Sequence, residues 1–378
     1  MKYLKEFNND SEYESFKNSA EYVEPNVSFV KNTPVVKFTM RDPILTFKAV
    51  EANSTVQLTK NGSSNDISLQ YSTNGGATWN TYTIGNTITL ANIGDSVKFK
   101  GINSTISSSA GNYYKFVMTG KITSSGDVTS LLNGVGGDCS LTTYACINMF
   151  QWCTSLITAP ALPSTRLAEK CYYSMFQGCT SLIKAPELPA TSLSNAKNCY
   201  QAMFYGCTSL TKAPELPATS LSFSCYGYMF INCTSLTTAP KLPATTLAES
   251  CYQYMFQGCT SLITAPALPA TTLAKYCYLS MFQGCTSLTT APVLPAMTLV
   301  NYCYDYMFKG CSNLSYIKAM FTTTPSTSYT RNWVLEVAAT GIFVKNSAAT
   351  WDVIGANGVP SGWSIKTEST PTPPVNQK

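Results

Sequence analysis

"CYQYMFQGCTSLITAPALPATTLAKYCYLSMFQGCTSL", residues 251–288, states nearly the same message twice, with two cysteines and a tyrosine, methionine and phenylalanine in each statement. The Met-Phe pair marks the period: it falls at 149, 175, 203, 229, 255, 281 and 307, at intervals of 26, 28, 26, 26, 26 and 26 residues. A period between about 20 and 50 residues is the signature of stacked coils, because one unit of that length cannot bury its own apolar side and a neighbour must cover it. The unit reads C-Y-x-x-M-F-x-G-C-T-S-L-x-x-A-P-x-L-P-A-T-x-L-x-x-x, and the longer interval places its extra residues in "SLSNAKN", residues 192–198, as a bulge on one edge.

The apolar positions of the unit divide into two sets. Leu182, Ala185 and Leu188 point one way on a short extended piece. Cys171, Met175, Phe176 and Cys179 lie on a helix-like turn whose apolar side faces it. Neither half can bury itself alone, and stacking buries both. Parallel extended pieces about 4.8 Å apart would carry six to seven coils over roughly 30 Å. Pro186 and its equivalents each remove a ladder donor, which predicts strands of two or three residues rather than a broad sheet.

The 15 cysteines are an odd number. On a helix, Cys171 and Cys179 would stand about 12 Å apart, beyond the roughly 7 Å reach of a disulfide. Zinc wants C-x-x-C or Cys/His spacing, which the chain lacks. The thiols are therefore expected to be buried, free and space-filling, with no metal and no cofactor.

Composition narrows the function. Hydrophobic residues make up 44% of the 378, enough for a sizeable core, while charged residues are only 12%, about half the usual ~25%. The net charge of +5 is not gathered into a Lys/Arg stripe with interleaved aromatics, so nucleic acid is not an expected partner. No run approaches the ~18 apolar residues of a membrane span, so membrane insertion is not expected. The chain has no histidine, which removes the commonest general base and metal ligand. The acids of the repeats, Glu169, Glu187, Glu215, Glu249 and Asp305, do not form the carboxylate pair about 5–10 Å apart that a glycosidase needs. Glu187 and Glu215 hold the same phase in neighbouring coils, where a solvated face is the ordinary reason. No enzyme is expected.

The flanks read differently. Residues 1–42 look like an adaptor. Ser11 and Glu14 fit a capping box, and Tyr13, Phe16 and Ala20 recur on one side of a helix over 11–22, an apolar stripe that needs a partner. Pro25 and Pro34 then break the chain into extended pieces. Residues 43–125 alternate apolar and polar residues between turn signals such as Asn74-Gly75-Gly76, the pattern of a small antiparallel β-sandwich. Residues 126–144 read as a capping turn over the first coil, so that the repeat region spans 126–314. Residues 315–366 read as a strand-rich C-terminal cap, and 367–378 as a disordered Thr/Pro tail. The expected fold is mainly β: sandwich, repeat solenoid and cap in that order.

The string "LPATTLAxxCYxxMFxGCTSL" resembles the BspA-like, Treponema-type leucine-rich repeats of Bacteroidales and other gut and oral bacterial surface proteins, over about residues 149–314. The ending "GIFVKNSAATWDVIGANGVPSGWSI" is similar to the closing segments of such proteins. The resemblance implies a right-handed solenoid with adhesion to host or matrix, and no catalytic residues. The opening "MKYLKEFNNDSEYESFKNSAEYVEPNVSFV" is similar to virion proteins of Bacteroides phages, crAss-like phages included. It lacks the apolar core of an export signal, an absence that assembly in the cytoplasm and release by lysis would explain.

Two functions follow as expectations. The first is a virion appendage, a fibre or decoration protein, docked on other virion proteins through its N-terminal segment and displaying the solenoid to a host surface protein or glycan. The alternative is a bacterial cell-surface adhesin. Homo-oligomerisation is left open by the sequence. The expected binding stripe is the variable residue of A-P-x-L-P, one per coil: Ala161, Glu187, Glu215, Lys241, Ala267 and Val293.

Overall fold

The computed structural model describes residues 42–63 and 66–369, together with the backbone of two short strands ahead of them. Those strands, β1 (Asn26–Val30) and β2 (Thr33–Lys37), pair antiparallel from Asn26↔Lys37 to Val30↔Thr33. The helix expected over 11–22, with Tyr13, Phe16 and Ala20, lies outside the described residues, as do residues 370–378.

The described chain is mainly β with a single four-residue helix. Its front part holds β3 (Leu45–Ala49), β4 (Ser54–Asn61), β5 (Leu69–Ser72), β6 (Asn80–Thr81), β7 (Thr87–Leu90), β8 (Ser96–Gly101), β9 (Tyr113–Thr119) and β10 (Ile122–Ser125), and α1 (Ser130–Asn133) follows. One sheet runs β10-β3-β8-β5-β6 and the other β7-β4-β9. The period of two puts Leu45, Phe47 and Ala49 of β3, Val56 and Leu58 of β4, and Val97 and Phe99 of β8 inside. Phe116 of β9 meets Phe47 edge-on at 4.8 Å and Phe99 at 5.5 Å, joining the two sheets through their apolar sides.

The repeats depart from the expectation in their turns. Cys171, Met175, Phe176 and Cys179 lie on a run of overlapping turns rather than on a helix. Alternate residues donate three back within the coil, as in Met175 N–H to Tyr172 (3.3 Å) and Cys179 N–H to Phe176 (3.1 Å). The residues between them donate to the next coil, as in Tyr172 to Cys199 (3.1 Å), Phe176 to Met203 (2.9 Å) and Gly178 to Tyr205 (2.7 Å). A left-handed residue at every fourth position, Lys170 (φ 53°), Ser174 (50°) and Gly178 (74°), turns each second N–H out of the coil. An α-helix aims every N–H along its own axis and would leave neighbouring coils unbonded.

The extended half is also more broken than expected. Only β11 (Leu156–Thr158) reaches strand length, paired parallel with β10. Elsewhere the coils touch by single bridges such as Lys212↔Thr238 and Thr238↔Thr264, because the flanking prolines cannot donate.

Inside, aromatic rings stack coil on coil. The phenylalanine row runs from Phe116 through Phe150, Phe176, Phe204, Phe230, Phe256 and Phe282 to Phe308, with centroids 5.4–5.8 Å apart and planes within 11°. The tyrosine row from Tyr172 to Tyr304 keeps 5.7–6.0 Å. The first rung, Phe116, belongs to a front strand, so β9 and β10 cover the open end of the first coil. The linker expected to do so contributes at its rim: the Ala161 N–H donates to Gly126 (2.8 Å) and the Val128 N–H to Ala161 (3.3 Å).

The far end is closed by β12 (Tyr316–Ala319), β13 (Ile342–Asn346) and β14 (Ser364–Glu368), a parallel sheet in that order. Trp333, fully buried, tilts 51° from Phe308 and ends the row. Residues 367 and 368, expected in the tail, belong to β14, where Thr367 pairs with Lys345 and Glu368 with Asn346.

Candidate functional site

The cysteines play two parts. The second cysteine of each coil donates its thiol to the phenylalanine carbonyl of the coil before: Cys179 to Phe150, Cys207 to Phe176, Cys233 to Phe204, and likewise from Cys153 to Cys311, all at 2.9–3.1 Å. From Phe150 onward that carbonyl also accepts the N–H of its own coil's cysteine, so both lone pairs are used. The expectation of space-filling thiols is corrected here: each is a donor as well as a small apolar group. In the first column Cys171, Cys199, Cys225, Cys251 and Cys277 donate to no carbonyl among the described residues, and Cys303 of the last coil reaches the Tyr329 carbonyl only at 3.9 Å. All the thiols are free, and burial pushes them up, Cys171 and Cys259 to about 12, which keeps them protonated and unreactive. Among the described residues no group of three His, Cys, Asp or Glu side chains converges.

The stripe of A-P-x-L-P is carried by the extended half. Pro186 and Leu188 are buried while Glu187 between them is exposed, and the same holds around Glu215, Lys241, Ala267 and Val293. Period-two alternation on a bridged segment produces this. Ala161 differs: it is half-buried, tied to Gly126 and Val128. Glu187 and Glu215 come together in a cleft of about 190 Å³ that Ile183, Lys184, Pro186 and Lys212 also line. This cleft falls at the 28-residue coil. None of its four charged side chains joins an ion pair among the described residues.

A second surface was not anticipated. The residue before each Met-Phe pair reads Asn148, Ser174, Ala202, Tyr228, Tyr254, Ser280 and Tyr306, and its backbone is left-handed throughout. A bulky residue there costs about 1–2 kcal/mol, which an outward stacked pair worth ~0.5–1.5 kcal/mol only partly returns. Tyr228 and Tyr254 stack at 4.8 Å, and Tyr276 and Tyr302, one turn earlier in their coils, at 4.9 Å, all four half-exposed. Burial, then Tyr254 and Tyr173, push the Tyr228 phenol above its ordinary value. The signal lay in the sequence as a column in which Tyr at 228, 254 and 306 stands among Asn, Ser and Ala, visible only once the turn run is known to present it outward.

A family profile for the BspA type Leucine rich repeat region matches residues 140–263 and 197–331 in six copies, together residues 140–331 and just over half of the chain. No curated protein and no solved structure matches it. The period, the buried leucine of each A-P-x-L-P and the matched span agree: the chain belongs to the BspA type leucine-rich repeat family.

Proposed function

We propose that the chain is a non-enzymatic surface-display protein of the adhesin kind, in which the coils form a solenoid between a β-sandwich and a C-terminal cap, and the solenoid binds a host surface protein or glycan through the stripe at Glu187, Glu215, Lys241, Ala267 and Val293. The observation that carries this is the contrast at A-P-x-L-P: the proline and leucine are buried in every coil, while the residue between them is exposed from Glu187 onward and varies among Glu, Lys, Ala and Val. Uniform buried positions keep the scaffold, and the outward residue is free to serve recognition. The family membership supports the same reading.

The test is attachment of the labelled chain to host cells and matrix. Replacing Glu187, Glu215 and Lys241 together by Ala touches only exposed side chains, so melting should stay within a few degrees while attachment weakens. Unchanged attachment removes the stripe.

The virion appendage is the second reading. It rests on the likeness of residues 1–30, which lie outside the described residues except for β1. Mass spectrometry of gradient-purified particles beside washed host membranes separates the two: enrichment in particles supports the appendage, and recovery only from membranes supports the cell-surface adhesin.

A further inference from the structure

The two outward tyrosine pairs differ in what closes their ends. In the pair Tyr276/Tyr302, Lys275 lies over one ring at 4.8 Å and Arg331 over the other at 5.8 Å, so cations already occupy the ring faces. Arg331 is in turn held by the buried Asp305, which accepts its backbone N–H at 2.9 Å. That pair is a finished structural unit.

The pair Tyr228/Tyr254 has no such cover. Along its column the next positions are Ala202 on one side and Ser280 on the other, both short and both buried. No cation lies over either ring among the described residues. The partly or fully exposed residues of the same turn runs include four amides, Gln201 one coil before, Gln253 and Gln257 in the coil of Tyr254, and Asn232 in the coil of Tyr228, beside the exposed Phe223 and Glu249. Gln253 is aimed by a hydrogen bond to Ser224 (3.2 Å). Other coils carry Ser at the same left-handed position, so the scaffold does not require tyrosine there.

We infer that Tyr228 and Tyr254 form a binding platform for an uncharged polysaccharide, whose sugar rings take the open outer faces of the stack beside the short Ala202 and Ser280. A sugar ring sets its polarised C–H groups on the negative face of an aromatic ring, and its hydroxyls need groups that both donate and accept, which amides do. An acidic polymer would meet the exposed carboxylate of Glu249 in the coil of Tyr254, and Lys275, at the same phase in the next coil, already sits on the Tyr276 ring. The proposal deepens the reading of the chain as a binding protein and assigns that binding a face other than the stripe.

The experiment is affinity electrophoresis of the full chain in native gels containing hydroxyethylcellulose, xyloglucan, galactomannan, glucomannan or pullulan, with polygalacturonate and alginate as the acidic set. Retardation is expected with at least one neutral polymer and with neither acidic one. It should weaken at least tenfold in Tyr228→Ser/Tyr254→Ser and persist in Tyr228→Phe/Tyr254→Phe, which keeps the rings. Tyr276→Ser/Tyr302→Ser and the triple alanine variant of the stripe should bind as the parent does. Retardation by none of the neutral polymers, by acidic polymers alone, or equally in the Ser and parent chains overturns the platform. In the last case, if the stripe variant alone loses binding, the adhesin reading stands and this face is excluded; if no variant loses it, both are excluded.

Discussion

Serine and alanine substitutions at Cys225 and Cys233 separate two roles that one residue type plays eight positions apart. Both side chains are fully buried. The Cys233 thiol donates to the Phe204 carbonyl at 3.1 Å, and that carbonyl also takes the Cys207 N–H at 3.0 Å. Cys233→Ala loses the buried sulfur, about 1 kcal/mol, and the thiol bond, ~0.5–1.5 kcal/mol, for a total near ~2 kcal/mol. Cys233→Ser keeps a donor aimed at the same carbonyl and should cost ~1 kcal/mol. At Cys225, which donates to nothing among the described residues, the order reverses: alanine costs about 1 kcal/mol, whereas serine buries a hydroxyl without a partner at ~1–3 kcal/mol in addition to the lost sulfur. The assay is urea unfolding of the four variants at pH 7 with reductant. Serine should be the milder change at 233 and the harsher at 225, with the two differences separated by ~2–3 kcal/mol. Serine harsher than alanine by the same amount at both sites would refute the donor role.

Three further outcomes follow from the same geometry. The hydroxyls of Tyr200, Tyr226 and Tyr252 are buried without a partner among the described residues, so Tyr226→Phe should raise stability by ~1 kcal/mol, read as a higher urea midpoint; a lower midpoint would mean that the hydroxyl is satisfied. Fourteen of the fifteen thiols are buried, and burial pushes Cys171, Cys225 and Cys311 up to about 12 from 9.0. The unfolded chain then releases its thiol protons first as pH rises, so stability is full below pH 9 and falls between pH 9 and 12, by up to about 1.4 kcal/mol per thiol per pH unit. The midpoint should hold from pH 6 to 8 and collapse by pH 10 in circular dichroism, and a flat profile to pH 10 would contradict this. Finally, the buried Asp127 carboxylate accepts the Gly137 N–H at 3.0 Å, the Thr129 N–H at 3.1 Å and the Thr129 hydroxyl at 2.5 Å. Asp127→Ala leaves the two N–H groups without an acceptor, while the Thr129 hydroxyl keeps the Gly137 carbonyl at 2.8 Å, and should destabilise by ~2–4 kcal/mol, checked as a drop in melting temperature.

The period was legible because each coil is the environment of the next: an interval of 26 between Met-Phe pairs reports directly that the same side chains stack. The A-P-x-L-P column was legible for the same reason, since phase within the unit is position on the stack. The turn run was not. Its left-handed positions fall on Lys170, Ser174 and Tyr228 as readily as on Gly178, and only the glycine carries a local signal. The thiol donors were hidden because no local pattern says that the carbonyl 29 residues back from Cys233 comes within reach. The first rung was missed because Phe116 belongs to a segment of period two, whose ordinary partner is a facing sheet rather than a coil.

The most direct test of the account is hydroxyl-radical footprinting of the chain bound to the cells or matrix it attaches to. Protection should fall in the repeats, on the segments around Glu187, Glu215 and Lys241 and at Tyr228 and Tyr254, with residues 42–125 labelled as in the free chain. Protection confined to residues 42–125, with the repeats labelled as before, would contradict it.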